Sequence, residues 1–294
     1  MTSTATTPTA GPAAGPSAQF PRARRTVSGW VQGWNRLGLQ TQFYGLTIRG
    51  VGDALTNYKV ELLRLVAQMS LGIGALAIIG GTLVIVGFLT LSAGAWIAVQ
   101  AYNQLADVGV EALAGFTSAF LNVRITSPLV AGIGLAATVG AGATAQLGAM
   151  RINEEIDALE VMGIRSIAYL ASTRVLAGVL VVIPLYCIAV QVAFVAARVG
   201  TTVFYGQSTG VYDHYFNTFL NPVDLIWSFI QAISIAVVVM LVHTYYGFTA
   251  SGGPAGVGEA VGRAVRASLV VSAFVTLLVS LAIYGESGNF NLAG

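Results

Sequence analysis

Residues 125–150 read ITSPLVAGIGLAATVGAGATAQLGAM and contain no charged side chain. An α-helix needs roughly 20 residues to cross the hydrocarbon core of a bilayer, so this stretch predicts a transmembrane helix. The 294-residue chain around it is 55% hydrophobic and 9% charged, with a mean hydropathy of +0.77, whereas roughly a quarter of the residues in a soluble domain are charged. The sequence therefore predicts an all-α integral membrane protein.

Apolar runs of membrane-spanning length recur along the chain. Together with the first, they predict five transmembrane helices at 65–91, 125–150, 175–197, 225–247 and 267–285. The stretch 92–123 is apolar but contains Asp107 and Glu111, so we expect it to lie outside the membrane or to re-enter it. The predicted organisation is a disordered tail at 1–25, an interfacial helix at 26–61, a five-span domain at 62–285 and a C-terminal tail at 286–294.

The two segments before the first span differ in composition. Residues 1–19 consist almost entirely of Thr, Ala, Pro, Gly and Ser without apolar periodicity, which is typical of disorder. Trp30 and Trp34 are spaced four apart with Arg36 close by, a pattern typical of an amphipathic helix in the headgroup region of a membrane. A soluble amphipathic helix is the alternative for this second segment.

The distribution of arginine and lysine predicts the orientation of the spans. If the N-terminus is cytoplasmic, ten of the 14 positive residues lie in cytoplasmic segments, and only Arg124 and Arg198 lie on the opposite side. Cytoplasmic loops near span ends are enriched in positive residues, so we expect a cytoplasmic N-terminus and an extracytoplasmic C-terminus in the plasma (inner) membrane. Arg64 and Arg174 are expected at the cytoplasmic edges of spans, with side chains extending outward.

The same composition excludes several classes of site. A net charge of +2 provides no strongly basic surface for nucleic acid. Lys59 is the only lysine and follows no glycine loop, so a P-loop is absent from the sequence. Cys187 is the only cysteine, which excludes an internal disulfide and a thiolate-clustered metal site. With His214 expected in an outer loop and His243 at the cytoplasmic interface, we predict a non-catalytic protein without metal or cofactor.

Small residues recur every four positions in the second predicted span. Gly132, Ala136, Gly140 and Thr144 lie on one face of the helix, and small residues on one face allow close approach of another transmembrane helix. Two GxGxxA strings in the same run precede no ribose-binding acidic residue and follow no strand, so a dinucleotide site is not expected. The pattern predicts a central span that packs against protein.

Residues 151–163, RINEEIDALEVMG, contain four of the chain's 12 acidic residues. Helical spacing predicts one apolar face and one acidic face, with Gly163 as a C-terminal stop. The apolar face consists of Ile152, Ile156, Leu159 and Met162, and the acidic face of Glu154, Asp157 and Glu160. Two interpretations stay open: a solvated interfacial loop, or a docking helix that presents carboxylates to basic residues of a cytosolic partner.

The run from Gly148 to Met162, GAMRINEEIDALEVM, resembles the signature of the MlaE/YrbE permeases, the membrane subunits of Mce-type ABC lipid transporters. The resemblance extends to residues 173–177 and to glycine-rich positions between 246 and 266, and covers roughly residues 30–285. It implies an interfacial helix, five spans, and a cytoplasmic coupling helix between spans two and three that is seated in the ATPase. That role would fall on Arg151, Glu154, Glu155, Asp157 and Glu160.

The resemblance also implies partners. These are a cytosolic ABC ATPase dimer, a second YrbE-type permease, an extracytoplasmic Mce ring or needle, and a lipid or fatty-acid-like substrate, with import the favoured direction. Residues 124–128 and 139–146 lack three charges that many members have there, and Ala145-Gln146 resembles the actinobacterial (mycobacterial) B-type half of a heterodimer. The substrate-binding residues are not predicted. The alternatives are a stand-alone ion-coupled transporter and a membrane scaffold.

Overall fold

The computed structural model describes residues 21–71 and 81–284, and every regular element in those residues is a helix. Residues 1–20 of the predicted N-terminal tail and the predicted tail at 286–294 lie outside the described residues, and residues 21–25 are helical. The helices are α1 Pro21–Arg49, α2 Val51–Asn57, α3 Lys59–Leu71, α4 Gly81–Ala106, α5 Glu111–Ile152, α6 Glu155–Val161, α7 Ile167–Phe204, α8 Thr209–Phe219, α9 Pro222–Phe248 and α10 Gly253–Tyr284.

Five helices in the described residues are long and apolar enough to cross a membrane, namely α4, α5, α7, α9 and α10. The predicted all-α membrane fold with five spans is therefore confirmed. Residues 72–80 of the first predicted span, 65–91, lie outside the described residues. Its predicted end at 91 was wrong, because the described part of the span, α4, continues to Ala106. Residues 92–99 contain no charge, and the polar residues that follow them lie in the last two turns, where a helix leaves the hydrocarbon.

The second half of the stretch predicted to lie outside the membrane also belongs to a span. The helix α5 begins at Glu111 and continues to Ile152. It contains two π-helical turns, at Asn122–Thr126 and Ala136–Gly140. Such wide turns occur mostly as single insertions in α-helices and are frequent at functional sites.

The predicted single interfacial helix at 26–61 is three helices in the structure. The three helices are separated at Gly50 and at Tyr58, although Gly50 N–H still donates to Leu46 O at 2.9 Å. The chain divides into two compact units, residues 1–43 and residues 44–294. In the first unit, α1 exposes Trp34, Leu37 and Leu39, and a location of this segment at a membrane interface stays a prediction.

The core of the second unit is formed by α3, α4, α5, α7 and α9. The helix α5 packs against α4, α7 and α9, while α10 packs mainly on α9 and α5. The side chains of this core with 0% exposure include those of Val86, Leu135, Val182 and Ile235. Leu and Val side chains elsewhere on α4 and α10 are exposed, as expected for helices whose other face contacts lipid.

Candidate functional site

The acidic segment between α5 and α7 is a short helix bounded by two left-handed residues. The helix α5 ends at Ile152, Glu154 has φ +61°, and α6 begins at Glu155. At its other end Gly163 has φ +78°, its N–H donates to Glu160 O at 3.0 Å, and Ile164 N–H donates to Leu159 O at 3.0 Å. This is a Schellman C-cap, for which glycine is preferred. The helix predicted at 151–163 is therefore broken near its start.

A small apolar cluster holds α6 against the ends of the neighbouring spans. Ile156 is fully buried and contacts a cluster that includes Leu147 of α5 and Leu170 of α7. Leu159 and Phe248 pack against the same cluster and are partly buried. This cluster therefore packs α6 directly against the ends of α5 and α7.

The acidic side chains of the segment differ in their partners. Asp157 Oδ1 accepts from Arg151 Nη1 at 2.6 Å, and Glu160 Oε1 accepts from Ser166 Oγ at 2.5 Å. Glu154 and Glu155 are exposed, and the described residues provide neither carboxylate with an ion-pair partner. Glu155 Oε1 accepts only a 3.4 Å hydrogen bond from Asn153 Nδ2. Asp157 and Glu160 thus stabilise the segment, and Glu154 and Glu155 are exposed for contact with a partner.

The apolar side chains at the end of α6 face solvent. Val161 is 89% exposed and Met162 is 66% exposed. The prediction that Met162 shares the apolar face of Ile152, Ile156 and Leu159 was therefore wrong. The left-handed Glu154 separates Ile152 from α6, and Met162 is the C-cap that follows α6, so neither residue continues the helical repeat of Ile156 and Leu159.

The segment after α6 is linked to the end of α1 and to α2. Arg165 Nη1 lies 3.0 Å from Asp53 Oδ2, and the buried Ser172 Oγ donates to Thr47 O at 2.7 Å. Gly50 lacks a side chain where a Cβ would lie 2.4 Å from Ser172 Oγ. No local sequence pattern predicts these links, because the residues that they join are more than 100 positions apart.

The small residues of α5 lie where its neighbours come closest. A Cβ on Gly132 would lie 2.4 Å from Ile235 Cγ2 of α9, and one on Gly140 would lie 2.6 Å from His243 Cδ2. Ala136 is fully buried in the main core. Larger side chains at Gly132 and Gly140 would separate α5 from α9.

Thr144, His243 and Ser268 form a buried polar cluster between α5, α9 and α10. His243 Nδ1 lies 2.8 Å from Thr144 Oγ1, and Nε2 lies 3.1 Å from Ser268 Oγ. The expectation that His243 lies at an interface was wrong, because α10 covers it and all three residues have 0% exposure. A histidine inside an apolar run was the only sequence signal for this cluster.

Arg174 near the start of α7 is buried, with 5% of its surface exposed. Its Nη1 donates to Leu170 O at 3.0 Å, and Nη2 lies 4.0 Å from Met150 Sδ. The prediction that its side chain extends outward was wrong, because α3 packs against this part of α7. The guanidinium therefore connects α7 to the last turns of α5.

At the opposite end of the spans, both arginines pair with aspartates. Arg124 Nη2 lies 2.8 Å from Asp224 Oδ2. Arg198 donates from Nε and Nη2 to the two oxygens of Asp213, both at 2.8 Å, and these hydrogen bonds hold the pKa of the Asp213 carboxyl below its usual range. His214 is exposed on α8 and not in a loop. The described residues contain no group of three metal-ligating side chains.

Comparison with known proteins provides an independent observation. The sequence model of the family described as Permease MlaE matches residues 73–282. This range includes four of the five spans in full, the fifth as far as residue 282, and the acidic segment between α5 and α7.

Individual relatives are similar over most of the chain. A probable ABC transporter permease protein of Rickettsia felis is 28% identical over 75% of this chain and 83% of that protein. The intermembrane phospholipid transport system permease protein MlaE of Haemophilus influenzae is 26% identical over 68% of this chain and 77% of that protein. The chloroplastic protein TRIGALACTOSYLDIACYLGLYCEROL 1 of Arabidopsis thaliana is 28% identical over 58% of this chain and 49% of that protein.

Proposed function

The chain belongs to the MlaE permease family, and we propose that its acidic segment is the site through which a separate cytosolic ATPase drives lipid transport. The coarse role, a multi-pass permease of an inner-membrane lipid-transporting ABC system, follows from the family and from the five apolar helices. The permeases of this family are non-catalytic, so the proposal concerns how ATP hydrolysis in a separate ATPase is coupled to movement of this chain.

The observation that carries the proposal is the surface formed by Glu154, Glu155, Val161 and Met162, which we name the docking surface. Its two carboxylates and two apolar side chains are all exposed. Exposed carboxylates favour a partner with basic residues, and an apolar pair excludes water at the contact. The docking surface consists of residues at the two ends of α6 and its caps, and Ile156 of α6 is buried against α5 and α7.

In the proposed mechanism, ATPase closure pushes α6 and thereby moves the ends of α5 and α7. Interlocked side chains make these ends move together, because Arg174 reaches Met150 and the cluster around Ile156 contacts both helices. Packed cores switch between discrete arrangements instead of deforming continuously. The apolar walls of the spans suit an acyl chain better than an ion, which needs fixed polar ligands.

Charge reversal at the docking surface tests the ATPase assignment. We expect Glu154→Lys with Glu155→Lys to lose the ATPase on copurification while the permease stays folded, because neither carboxylate has an ion-pair partner within the described residues. Asp107→Lys is the matched control, since Asp107 is exposed beyond the other end of α4 and α5. Retention of the ATPase by the doubly reversed variant at wild-type level would contradict the proposal.

We extend the proposal to the remaining partners that the resemblance implies. The chain would form a heterodimer with a second YrbE-type permease and place an Mce ring or needle on the face of α8, with import as the direction. Native mass measurement of the purified complex tests the pairing, and a stable homodimer that transports alone would contradict it. A stand-alone ion-coupled transporter would transport without the ATPase, which reconstitution of the permease alone would reveal.

A further inference from the structure

A cavity of about 380 Å³ lies between α3, the start of α4 and the half of α5 nearest to the acidic segment. Small side chains of α5 leave this space open, among them Ala137, Gly142 and Ala143. Ala137 and Thr138 belong to the second π-helical turn of α5. A volume in this range corresponds to a pocket for one small ligand.

The cavity combines apolar walls with four uncharged polar side chains. Leu65, Met69 and Ile85 line it on α3 and α4. The polar lining consists of Gln68, Thr82, Thr138 and Gln146. No charged side chain lines the cavity among the residues that the structure describes. An ionised headgroup placed there would lose its hydration without gaining a counter-charge, which is costly at membrane depth.

The polar lining has unused hydrogen-bonding capacity. Thr138 Oγ1 donates to Gly134 O at 2.7 Å and Thr82 Oγ1 to Met69 O at 3.3 Å, so both hydroxyl oxygens still accept. Gln68 and Gln146 are half-buried, and the described part of the chain provides their amides with no hydrogen-bond partner. Amides that both donate and accept suit a hydroxyl group, which does the same.

We propose that this cavity binds an uncharged single-chain amphiphile, with its hydroxyl headgroup between Gln68 and Gln146 and its chain along the apolar wall. The proposal rests on the lipid-transport role of the family and not on ATPase docking at Glu154 and Glu155. Hydrogen bonds from the two amides would select a hydroxyl headgroup, and the uncharged lining would disfavour a carboxylate or a phosphate. Gln146 lies six residues before the end of α5, roughly 9 Å along the helix axis.

Photolabelling of the purified permease in nanodiscs tests the site. The probes are a fatty alcohol with a chain diazirine, the fatty acid of equal chain length at a pH where its carboxyl is ionised, and a phospholipid with the same diazirine chain. We expect the alcohol to label peptides that contain Leu65–Met69 and Ala137–Gln146 more strongly than either charged probe does. Equal labelling by the ionised acid or the phospholipid would overturn the proposal.

Two glycine variants separate occupation of the cavity from general effects on the helices. A Cβ added at Gly142, which lines the cavity, or at Gly87, which does not, would meet no atom within 4 Å. Gly142→Leu is expected to abolish labelling by the alcohol, and Gly87→Leu to leave it unchanged. Gln146→Leu is expected to weaken labelling by about fivefold, the equivalent of one lost hydrogen bond. Unchanged labelling in Gly142→Leu would overturn the proposal.

The ATPase assay on the same variants keeps the two proposals distinct. Gly142→Leu leaves the docking surface untouched, so it is expected to retain the ATPase while losing the label. Labelling of the cavity in a permease that binds no ATPase would contradict the docking proposal alone. Binding of the ATPase without selective labelling would contradict the cavity proposal alone.

Discussion

Buried polar side chains link the spans at the level of single residues. Thr144 Oγ1 also donates to a carbonyl, with Gly140 O and His243 O both 3.0 Å away. His243 reaches hydroxyls on two other helices through its two ring nitrogens. In hydrocarbon such groups have no water to replace a lost partner. The surrounding apolar contacts have no directional preference, whereas hydrogen bonds do. The cluster therefore specifies how α5, α9 and α10 pack against one another.

Removal of the Thr144 hydroxyl tests this specification. We expect Thr144→Val to lower the free energy of unfolding by about 1 kcal/mol, since interhelical hydrogen bonds in membranes have this order of magnitude. Thr90→Val is the control, because the equally buried Thr90 donates only to Val86 O of its own helix. Chemical or thermal unfolding in detergent measures both, and an equal loss in the two variants would contradict a role for the cluster. Thr144→Ser should restore most of the stability.

At the scale of elements, short helices are held at both ends of the spans by specific contacts. The helix α6 depends on the cap at Gly163 and on Ile156. The helix α8 depends on the fully buried Tyr212 and on the bidentate pair between Asp213 and Arg198. Gly115 of α5 has no room for a Cβ where the backbone of Tyr212 passes. Isolated helices of this length are marginally stable in water, so these contacts are needed to hold α6 and α8 folded and in position.

The Asp213 pair predicts a pH dependence for the attachment of α8. The pKa of the Asp213 carboxyl is lower in the folded protein than its ordinary value of 3.8. The ion pair therefore contributes its full stabilisation at pH values above 3.8. The contribution is lost as the pH falls through the lower folded pKa. We expect the difference in Tm between wild type and Asp213→Asn to be constant near neutral pH and to vanish in acid. Because the pair is exposed, the difference should be small.

Asp107→Asn provides the comparison for this experiment. Asp107 is exposed and has no ion-pair partner among the described residues. Its substitution should change Tm little at any pH. A difference for Asp213→Asn that persists undiminished in acid would show that the carboxylate charge is not the stabilising feature.

At the scale of the whole molecule, charge is distributed unequally between the two ends of the spans. At one end Arg124 and Arg198 are each neutralised by an aspartate at 2.8 Å. The other end has more positive residues, among them Arg151, Arg165 and Arg263, which also pair with carboxylates, and it includes the docking surface. Since positive residues are enriched on the cytoplasmic side, we propose that this second end faces the cytoplasm, as ATPase docking requires.

Cysteine labelling of intact cells tests the orientation. Cys187 is the only cysteine in the sequence and is exposed on α7, so Cys187→Ser provides a background without thiols. In that background we expect a membrane-impermeant maleimide to label Asp107→Cys in intact cells, and to label Glu154→Cys only after permeabilisation. Labelling of Glu154→Cys in intact cells would contradict the proposed orientation and the docking proposal together.

The sequence by itself determined the class of the protein, the number of spans and the location of the acidic segment. These features are local, because hydrophobic length and charge composition decide whether a stretch can enter the bilayer. The bounds of the first span were less well defined, since its polar end resembles a loop in composition. Residues 92–106 were misassigned for that reason.

Only the tertiary structure decided which polar groups are buried and which apolar groups are exposed. Arg174 and His243 are covered by helices distant in sequence, whereas Met162 is exposed at the C-cap of α6, directly before the left-handed Gly163. The Thr144–His243 contact joins residues 99 positions apart, and the cavity between α3, α4 and α5 exists only where three helices meet. Periodicity describes a single helix, and the environment of a side chain depends on which other helices pack against it.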